Sequence, residues 1–109
     1  ENIRQADAVI LVGSRSSVMS LNCGYCGYPT CVAKNEHPDV PCAINMTDLG
    51  IAIGSMTAKA ADLRVDSRVM FSVGFAARRI GLLTDCHAVY AIPLSASSKN
   101  PFFDRPSTR

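Results

Sequence analysis

A chain of 109 residues makes one domain with a modest core, and 48% hydrophobic against 18% charged residues marks it as folded rather than disordered. The formal net charge is only +2, and the basic residues are scattered, with Arg78-Arg79 the one adjacent pair in the body of the chain, so nucleic acid is not an expected partner. No apolar run approaches the roughly eighteen residues needed to cross a bilayer, so no membrane span is expected either.

The chain starts at Glu1 without a methionine and enters the apolar run Ala6 to Val12 almost at once, the look of the interior of a longer polypeptide with a segment upstream. Asp7-Ala8-Val9-Ile10-Leu11-Val12-Gly13 reads as a strand buried on both faces, as in a sheet covered by helices. Ser14 to Leu21 reads as a loop; its Val12-Gly13-Ser14-Arg15 start has too few glycines for a phosphate loop.

The cysteine-rich segment, residues 22–42, follows. Cys23, Cys26, Cys31 and Cys42 are spaced Cys-x2-Cys-x4-Cys-x10-Cys, which can bring four thiolates to one metal site. Gly24 and Gly27 each follow a cysteine, where a positive φ would bring backbone N–H groups close to the sulfurs. Pro29, Pro38 and Pro41 keep the segment irregular, so a metal would have to supply its order. Structural four-cysteine zinc sites pair two short knuckles, and Cys31 and Cys42 lie too far apart for the second, so a [4Fe-4S] cluster is preferred over zinc and over redox thiols. Tyr25 and Tyr28 are placed to shield such a cluster. His37 reads as a solvent-facing loop residue, His87 as a strand-edge residue, and Cys86 as a small buried hydrophobe.

Asn45-Met46-Thr47-Asp48 resembles an N-cap with an acidic residue three positions on, predicting a helix to about Leu63 whose Gly50, Gly54, Ala58 and Ala61 allow close packing. Asp66-Ser67 offers a second N-cap, for a helix from Val69 to about Leu83 that Gly81 ends. Ala88 to Ile92 reads as a second buried strand stopped by Pro93. Residues 94–109 read as a C-terminal arm that docks through Phe102-Phe103. The expected fold class is α/β, with α+β as the alternative: a single domain over 1–109, two buried strands flanking two helices, an irregular cysteine-rich loop, and membership of a longer domain.

Asn22-Cys23-Gly24-Tyr25-Cys26-Gly27-Tyr28-Pro29-Thr30-Cys31 resembles the four-cysteine iron–sulfur domain of the electron-transport complex B subunit and of the corrinoid iron–sulfur protein large subunit. That resemblance implies one [4Fe-4S] cluster on Cys23, Cys26, Cys31 and Cys42, although the last gap is shorter here than in that domain. The order of strand, cluster segment, Asp48-Leu49-Gly50-Ile51-Ala52, Val65 to Gly74, Ile92-Pro93-Leu94-Ser95 and Lys99 to Arg105 is similar to a prokaryotic family of uncharacterised proteins containing a ferredoxin domain. This implies a cluster-bearing cytoplasmic protein and supplies no reaction. The rhythm of Ala76-Ala77-Arg78-Arg79-Ile80-Gly81-Leu82, a strand and Ile92-Pro93 is faintly similar to nitroreductase-type flavoproteins, which makes FMN a candidate second cofactor.

The expected function is electron transfer, with a redox partner protein or partner subunit and assembly into a homo-oligomer or larger complex. The alternatives are a flavin-linked oxidoreductase that uses the cluster as a relay, and a structural zinc-binding module.

Overall fold

The computed structural model describes residues 2–15, 17–97 and 99–103. In chain order these form α1 (Asn2–Gln5), β1 (Ala8–Arg15), α2 (Cys31–Asn35), α3 (Ala43–Asp62), β2 (Asp66–Ser67), α4 (Phe71–Arg79) and β3 (Cys86–Ser95). The fold is mixed α and β, and its sheet is antiparallel throughout, in the order β1-β3-β2, which makes it α+β.

β3 is the middle strand, and its position explains its burial: Val89, Ala91, Ile92 and Pro93 are all closed off from solvent. β1 pairs with it from Ala8↔Leu94 to Gly13↔Val89 but lies at the sheet's edge. It is therefore not buried on both faces as its continuous apolar run suggests; Val9 and Ile10 are each more than a third exposed. The run reflects β-propensity and one-sided packing more than a central place in the sheet.

Pro93 does not end β3, which continues to Ser95. Ala91 exchanges backbone hydrogen bonds with Met70 at 2.8 and 3.0 Å, so its N–H points to the β2 side. Two residues on, Pro93 faces that same side, in the gap between the Met70↔Ala91 bridge and the Ser67↔Leu94 pair. A missing N–H is tolerated there because nothing across the gap needs it.

Both long helices end as the backbone rules require. Ile80 and Gly81 close α4 in a Schellman motif, with Gly81 at φ +94, Leu82 N–H on the Ala77 carbonyl at 3.0 Å and Gly81 N–H on that of Arg78 at 3.1 Å. α3 ends in the same pattern with Arg64 in the left-handed position, Val65 N–H reaching the Ala60 carbonyl at 2.8 Å. The helix starts differ from expectation. α3 begins at Ala43 with Cys42 as its N-cap, not at Asn45, and Asp66-Ser67 form β2 rather than a cap, leaving Met70 before α4. The Asp66 carboxylate instead accepts the Phe102 N–H at 3.2 Å. Phe102 is fully buried beside it, while Phe103 remains exposed under the Arg68 guanidinium, 5.5 Å from its ring centroid.

Among the described residues no helix is long and apolar enough to cross a membrane. α4 lies so close to β3 that a Cβ on Gly74 would stand 1.8 Å from the Val89 carbonyl oxygen. Backbone cannot yield as a side-chain tip can, so Gly74→Ala should destabilise the protein by about 1–3 kcal/mol or more, seen as a lower urea midpoint with an unchanged m-value. Gly54→Ala on α3, where an added Cβ meets nothing within 4 Å, is the control and should not lose stability.

Candidate metal centre

Between β1 and α3 the chain runs without regular structure except for α2, and almost nothing apolar holds it. Lys34 is the one buried residue between Ser17 and Cys42. Local polar bonds and left-handed backbone shape the segment instead. Ser20 and Asn22 have φ of 58° and 48°, and Gly24 and Gly27 have φ of 76° and 96°. The Gly27 N–H closes a turn on the Gly24 carbonyl at 3.0 Å, so both glycines supply the conformation their places after Cys23 and Cys26 suggest.

Asn22 clamps the third cysteine. Its side-chain Oδ1 accepts the Cys31 N–H at 2.9 Å, and its own N–H points to the Cys31 Sγ at 3.4 Å. Thr30 caps α2 through its hydroxyl, which accepts the Ala33 N–H at 3.1 Å. The fourth cysteine is fixed from the other side. Asn45, in the first turn of α3, donates through its side-chain amide to the Ser17 carbonyl, tying the start of α3 to the chain leaving β1.

The result is a small cavity whose walls are Cys23, Cys26, Cys31 and Cys42 together with Asn22, Tyr28 and Lys34, enclosing about 290 Å³ of non-atom space including its mouth. All four sequence-predicted cysteines thus face one space, and all are free thiols. They line the cavity without converging on a point: among the described residues no three His, Cys, Asp or Glu side chains are grouped to hold a single ion. Tyr28 lies in the wall and stacks on His37 at 5.0 Å and 20°, whereas Tyr25 points to solvent, 79% exposed, and is no part of it.

The electrostatics separate Cys42 from Cys86. The Asn45 N–H holds the Cys42 thiol below its ordinary range, helped by the Met19 and Ile44 N–H groups and the Lys34 charge, with partial burial opposing them. This is the field of a helix N-terminus acting on its capping residue, without a short cap hydrogen bond. Cys86 is pushed the other way, by burial first and then by the neighbouring Asp85 carboxylate. It packs beneath β1, where a Cβ on Gly13 would stand 2.8 Å from its sulfur, and it does not reach the cavity. A buried packing residue is what it is.

Sequence reasoning missed Asn22 and Lys34. The signal for Lys34 is its place three residues after Cys31, one helical turn on, which puts both on one face of α2. Asn22 had no comparable pattern, since a lone asparagine before a cysteine has many uses.

In metal-free protein the sign of these shifts is testable. A depressed thiol is a thiolate at lower pH, and a raised one stays protonated and unreactive. Iodoacetamide labelling followed by peptide mass spectrometry should modify Cys42 at a pH where Cys86 is untouched. Labelling of Cys86 before Cys42 as pH rises would contradict the assignment.

Residues 38–105, more than half of the chain, match the family described as "Uncharacterized protein containing a ferredoxin domain". That stretch includes Cys42 and Cys86 and begins after Cys31. The chain is 38% identical over 113 residues to an uncharacterized protein of Archaeoglobus fulgidus, covering 96% of this chain and 61% of that relative's length. No solved structure matches. The match over most of the sheet and both long helices makes the chain a member of that family of ferredoxin-domain proteins.

Proposed function

We propose that this chain holds a [4Fe-4S] cluster through Cys23, Cys26, Cys31 and Cys42 and works as a one-electron carrier. The observation that carries the reading is the shared cavity: four thiols from a glycine turn, the start of α2 and the cap of α3 line a single space. The ferredoxin-domain family points the same way. When bound, such a cluster supplies one-electron transfer at a potential set by its charge, its burial and hydrogen bonds to its sulfurs.

The residues present fit that group. The donors are soft sulfurs, and the Asn22 N–H is directed at one of them at 3.4 Å. Gly24 and Gly27, at positive φ, give the chain beside Cys23 and Cys26 the backbone freedom to turn its N–H groups toward bound sulfur. Tyr28, backed by His37, covers part of the cavity from water.

The Cys-x2-Cys-x4-Cys-x10-Cys spacing lacks the second short knuckle of a four-cysteine zinc site, which favours a cluster over a single zinc ion. Free thiols also suit a reducing compartment, the cytoplasm, and an electron carrier implies a protein redox partner.

Iron, zinc, acid-labile sulfide and flavin content of protein purified without oxygen tests the reading. About four iron and four sulfide per chain are expected; zinc alone would replace it with a structural site. Cys42→Ser should bleach or convert the brown chromophore, and Cys86→Ser should leave its spectrum intact. An unaltered cluster in the Cys42 variant would remove Cys42 from the ligand set.

A further inference from the structure

Lys34 is the single buried side chain in the whole cysteine-rich segment, 5% exposed, and it is a cation. Its carbon stem is packed away, while its Nζ is not among the fully buried, unpartnered polar atoms of the described residues, so the ammonium keeps access to water. Among the described residues no carboxylate lies within ion-pair distance of Lys34; the one ion pair, Arg15–Asp85 at 3.6 Å, is elsewhere and exposed. No acceptor is hydrogen-bonded to its Nζ either, although its backbone N–H is satisfied by the Thr30 carbonyl at 3.1 Å.

Lys34 lines the cavity shared by the four thiols and also a second, smaller cleft with Cys42, Asn45, Met46 and Pro41. The glutamate and aspartate of the same loop, Glu36 and Asp39, lie exposed at the surface. Lys34 is thus the one charged side chain in the wall of the four-cysteine cavity, and its charge favours the thiolate of Cys42.

Resting on the four-thiolate reading, we propose that Lys34 is the charge-compensating residue of the centre, the one cation in the cavity wall, which raises the reduction potential of a cluster bound there. A [4Fe-4S]2+ core with four thiolates carries a net charge of −2. One electron from an external donor takes the core to [4Fe-4S]1+ and the whole to −3, with no bond made or broken. A fixed neighbouring cation stabilises the −3 form more than the −2 form, because the interaction scales with the charge. Lys34 is thus a positioning and tuning residue that takes no part as a ligand.

The test is a dithionite titration followed by electron paramagnetic resonance on the complete protein, purified without oxygen, beside Lys34→Met and Lys34→Arg. Lys34→Met should make one-electron reduction at least tenfold less favourable, a fall of about 59 mV or more at one electron per tenfold. Lys34→Arg keeps the charge and should stay near the unsubstituted value. Equal potentials in all three, with iron and sulfide intact, overturn the role of Lys34 and leave the four-thiolate reading standing. Absence of iron and sulfide from the unsubstituted protein overturns both. Should Lys34→Met fail to assemble, nitrogen-15 lysine spectra of the unsubstituted protein decide: the Lys34 side-chain signal, identified by its loss in Lys34→Arg, must shift or broaden on reduction. A Lys34 signal indifferent to redox state overturns the proposal.

Discussion

Read as the ligands of one centre, as proposed, four thiols around one small space are first of all a problem of like charge. A metal is bound by thiolates, not thiols, and each thiolate makes the ionisation of the next more costly. At Cys42 the chain offers a helix N-terminus and the Lys34 charge, both of which favour the thiolate. At Cys31 it offers the Asn22 N–H. Cys23 and Cys26 sit on the glycine turn, Cys23 in open solvent, where water screens charge at little cost. The site therefore has a fixed half built on helix starts and an adaptable half built on glycine.

The fold exists, for this purpose, to hold the start of α3 in place. α3 has 20 residues, about 30 Å of helix. Its far half carries Met56 and Ala60 toward Ile10, Ile92 and Leu94 of the sheet, while its first turn caps on Cys42 and ties back to Ser17. The molecule is elongated, 50 Å along its longest axis against 29 Å across, with a radius of gyration of 16.7 Å where a compact domain of this length has about 13 Å. The cysteine-rich segment receives little from the core, so its order has to come from its own polar bonds and from what it binds.

That division also decides what could be read from sequence. The cysteine spacing and the glycines after Cys23 and Cys26 are local chemistry, and the structure gathers those cysteines around one cavity. The helix over α3 is legible from its capping pattern, and Gly81 ends α4 because only a left-handed residue can complete that turn. The misreadings all turn on tertiary neighbours. Asp66-Ser67 has the chemistry of a cap, but β3 offers them a strand partner and Phe102 takes the Asp66 carboxylate. Pro93 reads as a stop unless the gap in pairing across from it is known. β1 has the composition of a central strand and an edge strand's place. The cap of α3 was assigned to Asn45, three residues late, because a cysteine is not an ordinary capping residue and its use here belongs to the site rather than to the helix.

Cys42 and Cys86 make the same point about function. Cys42 is half-buried just before a helix, and Cys86 is buried at the first position of a strand, where the sequence reading also placed a packing residue. Cys86 enters a strand beside a carboxylate and under a glycine, an environment that keeps it a thiol and uses its volume. Cys42 enters a helix whose free N–H groups face its sulfur, with a cation behind it and no carboxylate near, an environment that favours the charged form. The same side chain is packing material in one field and is held toward its thiolate in the other. It is the field set by backbone and burial, more than the residue type, that separates the two cysteines in this chain.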